Sequence, residues 1–124
     1  MWIDTTNVGT ITVTSDYRLK ENIEVFANAL PLVMRLRPVL FDWRDIQDDI
    51  FKSDNVRHLG FLAHEVGEVL PSATTGEKDA LTSDGKIQPQ SLVDRELIAL
   101  LCRAVQELAE RVETLWPTTE RGKS

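Results

Sequence analysis

The chain has 124 residues, 14 Lys and Arg against 20 Asp and Glu for a net charge of −6, and 42% hydrophobic residues. That is one small domain with an ordinary soluble balance, and its acidic sign argues against a nucleic-acid partner, whose affinity comes from cations that neutralise phosphate. No apolar run approaches the roughly 18 residues of a membrane span, and the opening Met1-Trp2-Ile3-Asp4 has neither the basic nor the apolar region of a signal peptide. Cys102 stands alone, so there is no disulfide framework and no thiolate metal site, and two histidines, His58 and His64, cannot alone fill a zinc shell. No cofactor, metal, membrane or small-molecule substrate is therefore expected.

Residues 3–14 are rich in Thr, Val and Ile, and Thr10-Ile11-Thr12-Val13-Thr14 alternates, which predicts a strand with one apolar and one hydroxylated face. It reads as the end of something larger, the strand stub of a parent β-rich stalk over 1–14. At Ser15 the character changes to a charged stretch, Ser15-Asp16-Tyr17-Arg18-Leu19-Lys20-Glu21-Asn22-Ile23, with neither simple period. Apolar residues at 26, 29, 30, 33, 34 and 36 predict a helix, with Asn28 as its cap, Pro31 in its first turn and Pro38 as its stop. Val39 to Trp43 reads as a strand.

Residues 44–57 hold Asp45, Asp48, Asp49 and Asp54, but lack the glycine and closing glutamate of a calcium loop, so a solvated hairpin tip is expected. Leu59 to Ala63 predicts a short buried strand, and His64 to Leu70 a short helix ended by Pro71. The polar stretch 72–90, with Gly76 and Asp84-Gly85, predicts a projecting hairpin or long loop.

Ser91 to Trp116 contains no glycine or proline, and Pro117 ends it. Ile98, Leu101, Val105, Leu108, Val112 and Leu115 fall at alternating spacings of three and four, a heptad seam with Ile98, Val105 and Val112 at a and the leucines at d. On spacing alone this stripe suits a helix lying on its own core as well as an oligomeric seam. Charge outside the seam at Arg103, Glu107, Glu110 and Glu113 favours the oligomer. The β-branched a and leucine d residues favour a parallel dimer, whereas Leu97, Cys102, Ala104 and Ala109 widen the face toward three helices. The first half of the helix, ringed by Leu92, Val93, Leu97, Leu100 and Leu101, belongs in the body, and the polar tail from Thr118 to Ser124 is expected to fray. The fold class is α+β: short strands, projecting hairpins and a long closing helix.

Ser15 and Lys20 together invite a serine–lysine reading. A lysine serves as base only when neutral, which desolvation or a nearby cation such as Arg18 promotes. A spacing of five puts the two side chains on different helical faces, so the pair needs a turn between them. By residue type alone, a turn cap at Ser15 or Asp16 and a surface charge at Lys20 is the plainer account.

The order of the motifs alters that balance. The stretch from Ser15 to Ile23 resembles the opening signature of the intramolecular chaperone auto-processing domain, found at the C-terminus of phage tailspikes, tail fibres, neck appendages and endosialidases and inside myelin regulatory factor. Leu36-Arg37-Pro38 with Val39 to Trp43, Gly60 to Val66 with Leu70-Pro71, and Leu97 to Leu108 follow in the same register, so the resemblance covers about residues 15–115. It implies a domain over 15–117 that forms a homotrimer through a parallel helical bundle. That trimer would direct the folding of the parent β-stalk as its client and then cut itself free. The implied scissile bond is Thr14–Ser15, with Ser15 as nucleophile and Lys20 as general base; Asp16, Arg18 and Asn22 match the signature and are assigned to positioning. The implied setting is a phage tail or appendage precursor assembled in the host cytoplasm, with the chaperone released after cleavage. His64 departs from the family, which usually carries glutamine there. Two rivals stay open: a non-catalytic trimerisation domain of a fibre protein, and a monomeric adaptor that binds a partner helix.

Overall fold

The computed structural model describes residues 14–46 and 51–121. The strand read over 3–14, save Thr14, lies outside the described residues, as do Asp48, Asp49 and the last three residues of the tail. The fold is mixed, with short helices, two small antiparallel sheets and one long closing helix.

The apolar stripe of 26–36 yields only one short helix, α1 (Ala29–Val33). Asn28 takes a left-handed conformation, φ 64°, and its side chain caps nothing. Pro31 falls in the first turn, where no amide is needed. Arg35 and Leu36 then tighten the exit by bonding the carbonyls of Leu32 and Val33. Strand β1 (Val39–Phe41) pairs with β2 (His58–Gly60), Val39 opposite Gly60 and Phe41 opposite His58. Between them Ile46 is bridged to Phe51, as in the expected hairpin, whose tip at 47–50 lies outside the described residues. Its acidic residues act as turn caps: Asp45 accepts the Ser53 amide at 2.7 Å and Asp54 the Val56 amide at 3.0 Å.

The run read as a buried strand is different in kind. β2 ends at Gly60, and Leu59 lies exposed opposite an exposed Leu40 on a sheet covered on one face only. Phe41 occupies the covered side, edge-on to Trp43 at 5.0 Å and stacked on His58 at 5.6 Å. Helix α2 (Ala63–Val69) follows, stopped by a 3-10 turn at Pro71–Ala73. β3 (Thr74–Thr75) pairs with β4 (Ser91–Leu92), and the chain between them projects as a second hairpin with Leu81 bridged to Ile87. Gly85, φ 82°, takes the turn that only glycine enters without strain.

Helix α3 (Asp94–Leu115) is 22 residues long, about 33 Å at 1.5 Å per residue. It starts three residues later than its apolar pattern because Ser91 and Leu92 are taken by β4 and the Val93 amide bonds Ala73 at 2.7 Å. Asp94 and Glu96 favour its positive end. Beyond Pro117 the tail is helical for one turn, α4 (Thr118–Arg121), with the Glu113 carboxylate accepting the Thr118 amide and hydroxyl.

Two small clusters form the core. Ala29, Leu100 and Ala104 pack α1 on α3, while Val66, Ala73 and Leu97 pack α2 on its first turns. Leu36 and Leu70 touch both. Leu97 and Ala104 are buried here, so they pack against their own body and do not widen the seam as the sequence suggested. Among the described residues six apolar side chains are buried and twenty large ones are exposed, so a single copy covers little of its own apolar surface.

Candidate functional site: the Ser15–Lys20 turn and the α3 seam

Asp16 is extended, φ −66° and ψ 130°, and its side chain accepts the Arg18 amide at 2.9 Å. That capped start lets Tyr17–Leu19 close a 3-10 turn, with the Leu19 and Lys20 amides bonding the carbonyls of Asp16 and Tyr17 at 3.1 Å. The turn shortens the path from residue 15 to residue 20, so Lys20 Nζ donates to Ser15 Oγ at 2.6 Å. A continuous α-helix would have separated the two side chains.

The same turn organises Asp16 and Arg18. Arg18 donates from Nε at 3.0 Å and from Nη2 at 2.7 Å, a two-pronged pairing with one carboxylate. The guanidinium holds the Asp16 carboxyl below its usual range, helped by the Arg18 amide, and Arg18 is raised in return. Both Ser15 and Lys20 are exposed, as is Thr14 before them. Asn22 sits apart with φ 55° and makes no hydrogen bond to Ser15 or Lys20. Around the pair, Tyr17, Leu19, Ile23 and Val25 are all more than 70% exposed.

Residues 15–75 match the family model described as chaperone of endosialidase. The match supports reading this segment as an intramolecular chaperone domain. The match to this chaperone family starts at Ser15 and ends at Thr75, and the family's designation is that of a peptidase. Within the matched segment, His64 lies on α2 and lines the groove between the two hairpins rather than the Ser15–Lys20 turn.

Helix α3 lies beyond the matched segment. Its Leu97, Leu100 and Ala104 face the body, whereas all six seam residues, Ile98, Leu101, Val105, Leu108, Val112 and Leu115, are exposed. Exposure is greatest at Leu115, 82%, the last residue of the helix.

Glu107 is a structural residue that its sequence position does not disclose. Its carboxylate accepts the Leu30 amide at 2.7 Å and the Ala29 amide at 3.2 Å, capping α1 from 77 residues away in place of Asn28. Those amides, the Leu30 bond foremost, hold the Glu107 carboxyl below its usual range. A second such link joins Arg37 to Glu65, paired through two bonds at 3.1 and 2.7 Å. In both links donor and acceptor come from distant segments, so no local spacing signals either. Among the described residues no helix is long and apolar enough to cross a membrane.

Proposed function

We propose that this chaperone domain assembles as a trimer through α3, guides the β-stalk of a phage tail or appendage protein into register, and then cuts the Thr14–Ser15 bond. The observation that carries the reading is the 2.6 Å contact between Ser15 and Lys20 at the start of the matched segment.

The chemistry follows from that contact. As it stands, the ammonium donates to the hydroxyl; catalysis needs the reverse, a neutral amine accepting the Ser15 proton. Desolvation drives that reversal because it disfavours the charged form of lysine. The exposed apolar residues around the pair, from Tyr17 to Val25, are the surface that a neighbouring copy would cover. With the proton on Lys20, Ser15 Oγ attacks the Thr14 carbonyl carbon. The Thr14–Ser15 C–N bond breaks, the Ser15 nitrogen takes the proton back, and an ester joins Thr14 to Oγ. Water then hydrolyses the ester to the Thr14 carboxylate and the free hydroxyl. Asp16 and Arg18 position the turn. Asn22 is further off, and any part it takes in positioning is indirect.

The chaperone half of the reading rests on slow, non-local assembly in an intertwined β-stalk. A trimer that fixes three chain ends raises the effective concentration of the strands it tethers. The groove between the hairpins, lined by Trp43, Phe51, Phe61 and Ile87 among others, is an apolar grip for that client. Cleavage afterwards makes the product kinetically trapped.

Mass measurement of wild type, Ser15→Ala and Lys20→Ala tests this. The wild type is expected to lose residues 1–14, and both variants to stay full length and trimeric, with Lys20→Ala slowed by about a hundredfold or more. Wild-type cleavage rates in Lys20→Ala overturn the dyad. An intact wild type leaves the rival reading, an inert pair in a structural trimerisation domain. A wild type that sediments as a monomer favours the adaptor.

A further inference from the structure

We infer that the groove between the β1–β2 sheet and α3 seats the first three turns of α3 from a neighbouring copy, with that copy's Arg95 paired to Asp94; the inference rests on the trimer reading above. A stable interface takes about 20–30 residues from each partner, and the six seam residues fall well short of that. The groove, about 540 Å³, continues the seam sideways. Ile98 and Leu101 belong to both, and Trp43, Leu59 and Leu97 extend the apolar lining. Leu59 is 74% exposed and Ile98 65%, so a single copy leaves much of this lining to water.

Heptad geometry says which part of a second copy comes here. With Ile98, Val105 and Val112 at a, Asp94 falls at d, Arg95 at e and Leu97 at g, all within α3. In a parallel bundle the e edge of one helix runs beside the d and g positions of its neighbour. Leu97 is buried against its own body, so the incoming e edge meets the groove that Leu97 lines. Charge points the same way. Asp94 also lines the groove, and both Asp94 and Arg95 are exposed. Neither side chain has a hydrogen bond or ion pair among the described residues. Asp94 suits the positive end of its own helix, whereas Arg95, in the same first turn, opposes it. Positions 98 and 99, three and four residues on, hold isoleucine and alanine, so no acid there offsets the cation. In the parallel assembly each Arg95 instead lies beside the Asp94 of the next copy.

Two measurements on the full chain test this. A benzoylphenylalanine photo-crosslinker in place of the exposed Leu59 reads the occupant. Light is expected to join two copies, with the adduct on residues 94–104 of the second. Sedimentation equilibrium reads the pair, with circular dichroism to show that helix content is kept. Arg95→Glu and Asp94→Lys are each expected to raise the trimer–monomer midpoint concentration by about tenfold. The two together restore the pair with its signs exchanged, so the midpoint should return most of the way to wild type. A trimeric wild type whose adduct falls outside the second copy's α3, or whose double variant is no tighter than the single ones, overturns the inference and leaves the trimer standing. A wild type that stays monomeric overturns both.

Discussion

Asp16 carries more of the site than its neighbours do, because one carboxylate caps the 3-10 turn and holds Arg18. Asp16→Ala removes both contacts and loosens the turn without altering the Ser15 and Lys20 side chains themselves. Cleavage is expected to slow by about tenfold through lost positioning, with no change in sedimentation. Asp16→Asn, which can still accept the Arg18 amide, should lie between. The pH dependence has a definite sign. The Asp16 carboxyl is held below its ordinary value of 3.8, so its ionised form stabilises the turn above that value and the benefit is lost as pH falls through the lowered one. Chemical shifts of the Arg18 amide, followed from neutral pH to below 3.8, are expected to move only at the acid end. The Ser15–Lys20 pairing was legible in the order of motifs, and so was the need for a turn between them. What the sequence did not disclose is that Asp16, rather than Ser15, caps it: either residue type can cap, and only the backbone angles choose.

Elements were legible where periodicity ran long and were missed where distant segments compete. α3 has an uninterrupted apolar pattern, so only its first turn was misplaced, lost to β4 pairing. α1 starts after Asn28 as read but was overdrawn at its other end, where it stops at Val33, and the side chain that caps it is Glu107 on another helix. The strand at Leu59 was read as buried because apolar runs and covered sheets usually coincide, and here one face is bare. Glu107→Gln tests the cross-chain cap. A neutral amide accepts the α1 amides less strongly than a carboxylate does, so the melting temperature at neutral pH should fall. The Glu107 carboxyl lies below its usual 4.5, so its stabilisation is present above that value and lost as pH drops through the lowered one. Melting temperature plotted against pH should therefore fall less steeply in acid for Glu107→Gln than for wild type. Equal slopes would mean that the cap adds nothing to stability.

At the scale of the whole molecule, the two faces of α3 have opposite duties in the proposed assembly, and substitutions on them should fail in opposite ways. Leu100 is buried against α1 in a core of very few residues. Leu100→Ala is expected to cost about 3 kcal/mol, a large part of a small domain's stability, and to unfold the chain before assembly is in question. Val105, one and a half turns further on, is 64% exposed and touches no buried cluster. Val105→Asp should therefore leave helix content and core packing intact in the single copy. In an assembled seam the same aspartate would be an unpaired charge in a dry interface, weakening association by about a hundredfold or more. The expected product is a folded monomer by sedimentation that no longer cuts itself, because nothing covers the Ser15–Lys20 turn. Each copy also carries a net charge of −6, so the proposed assembly would proceed against like-charge repulsion that reaches only about 8 Å at physiological salt. Raising sodium chloride should tighten wild-type association and speed cleavage together, while Val105→Asp stays monomeric and intact at every salt concentration. Cleavage that persists in that monomer would separate the chemistry from assembly.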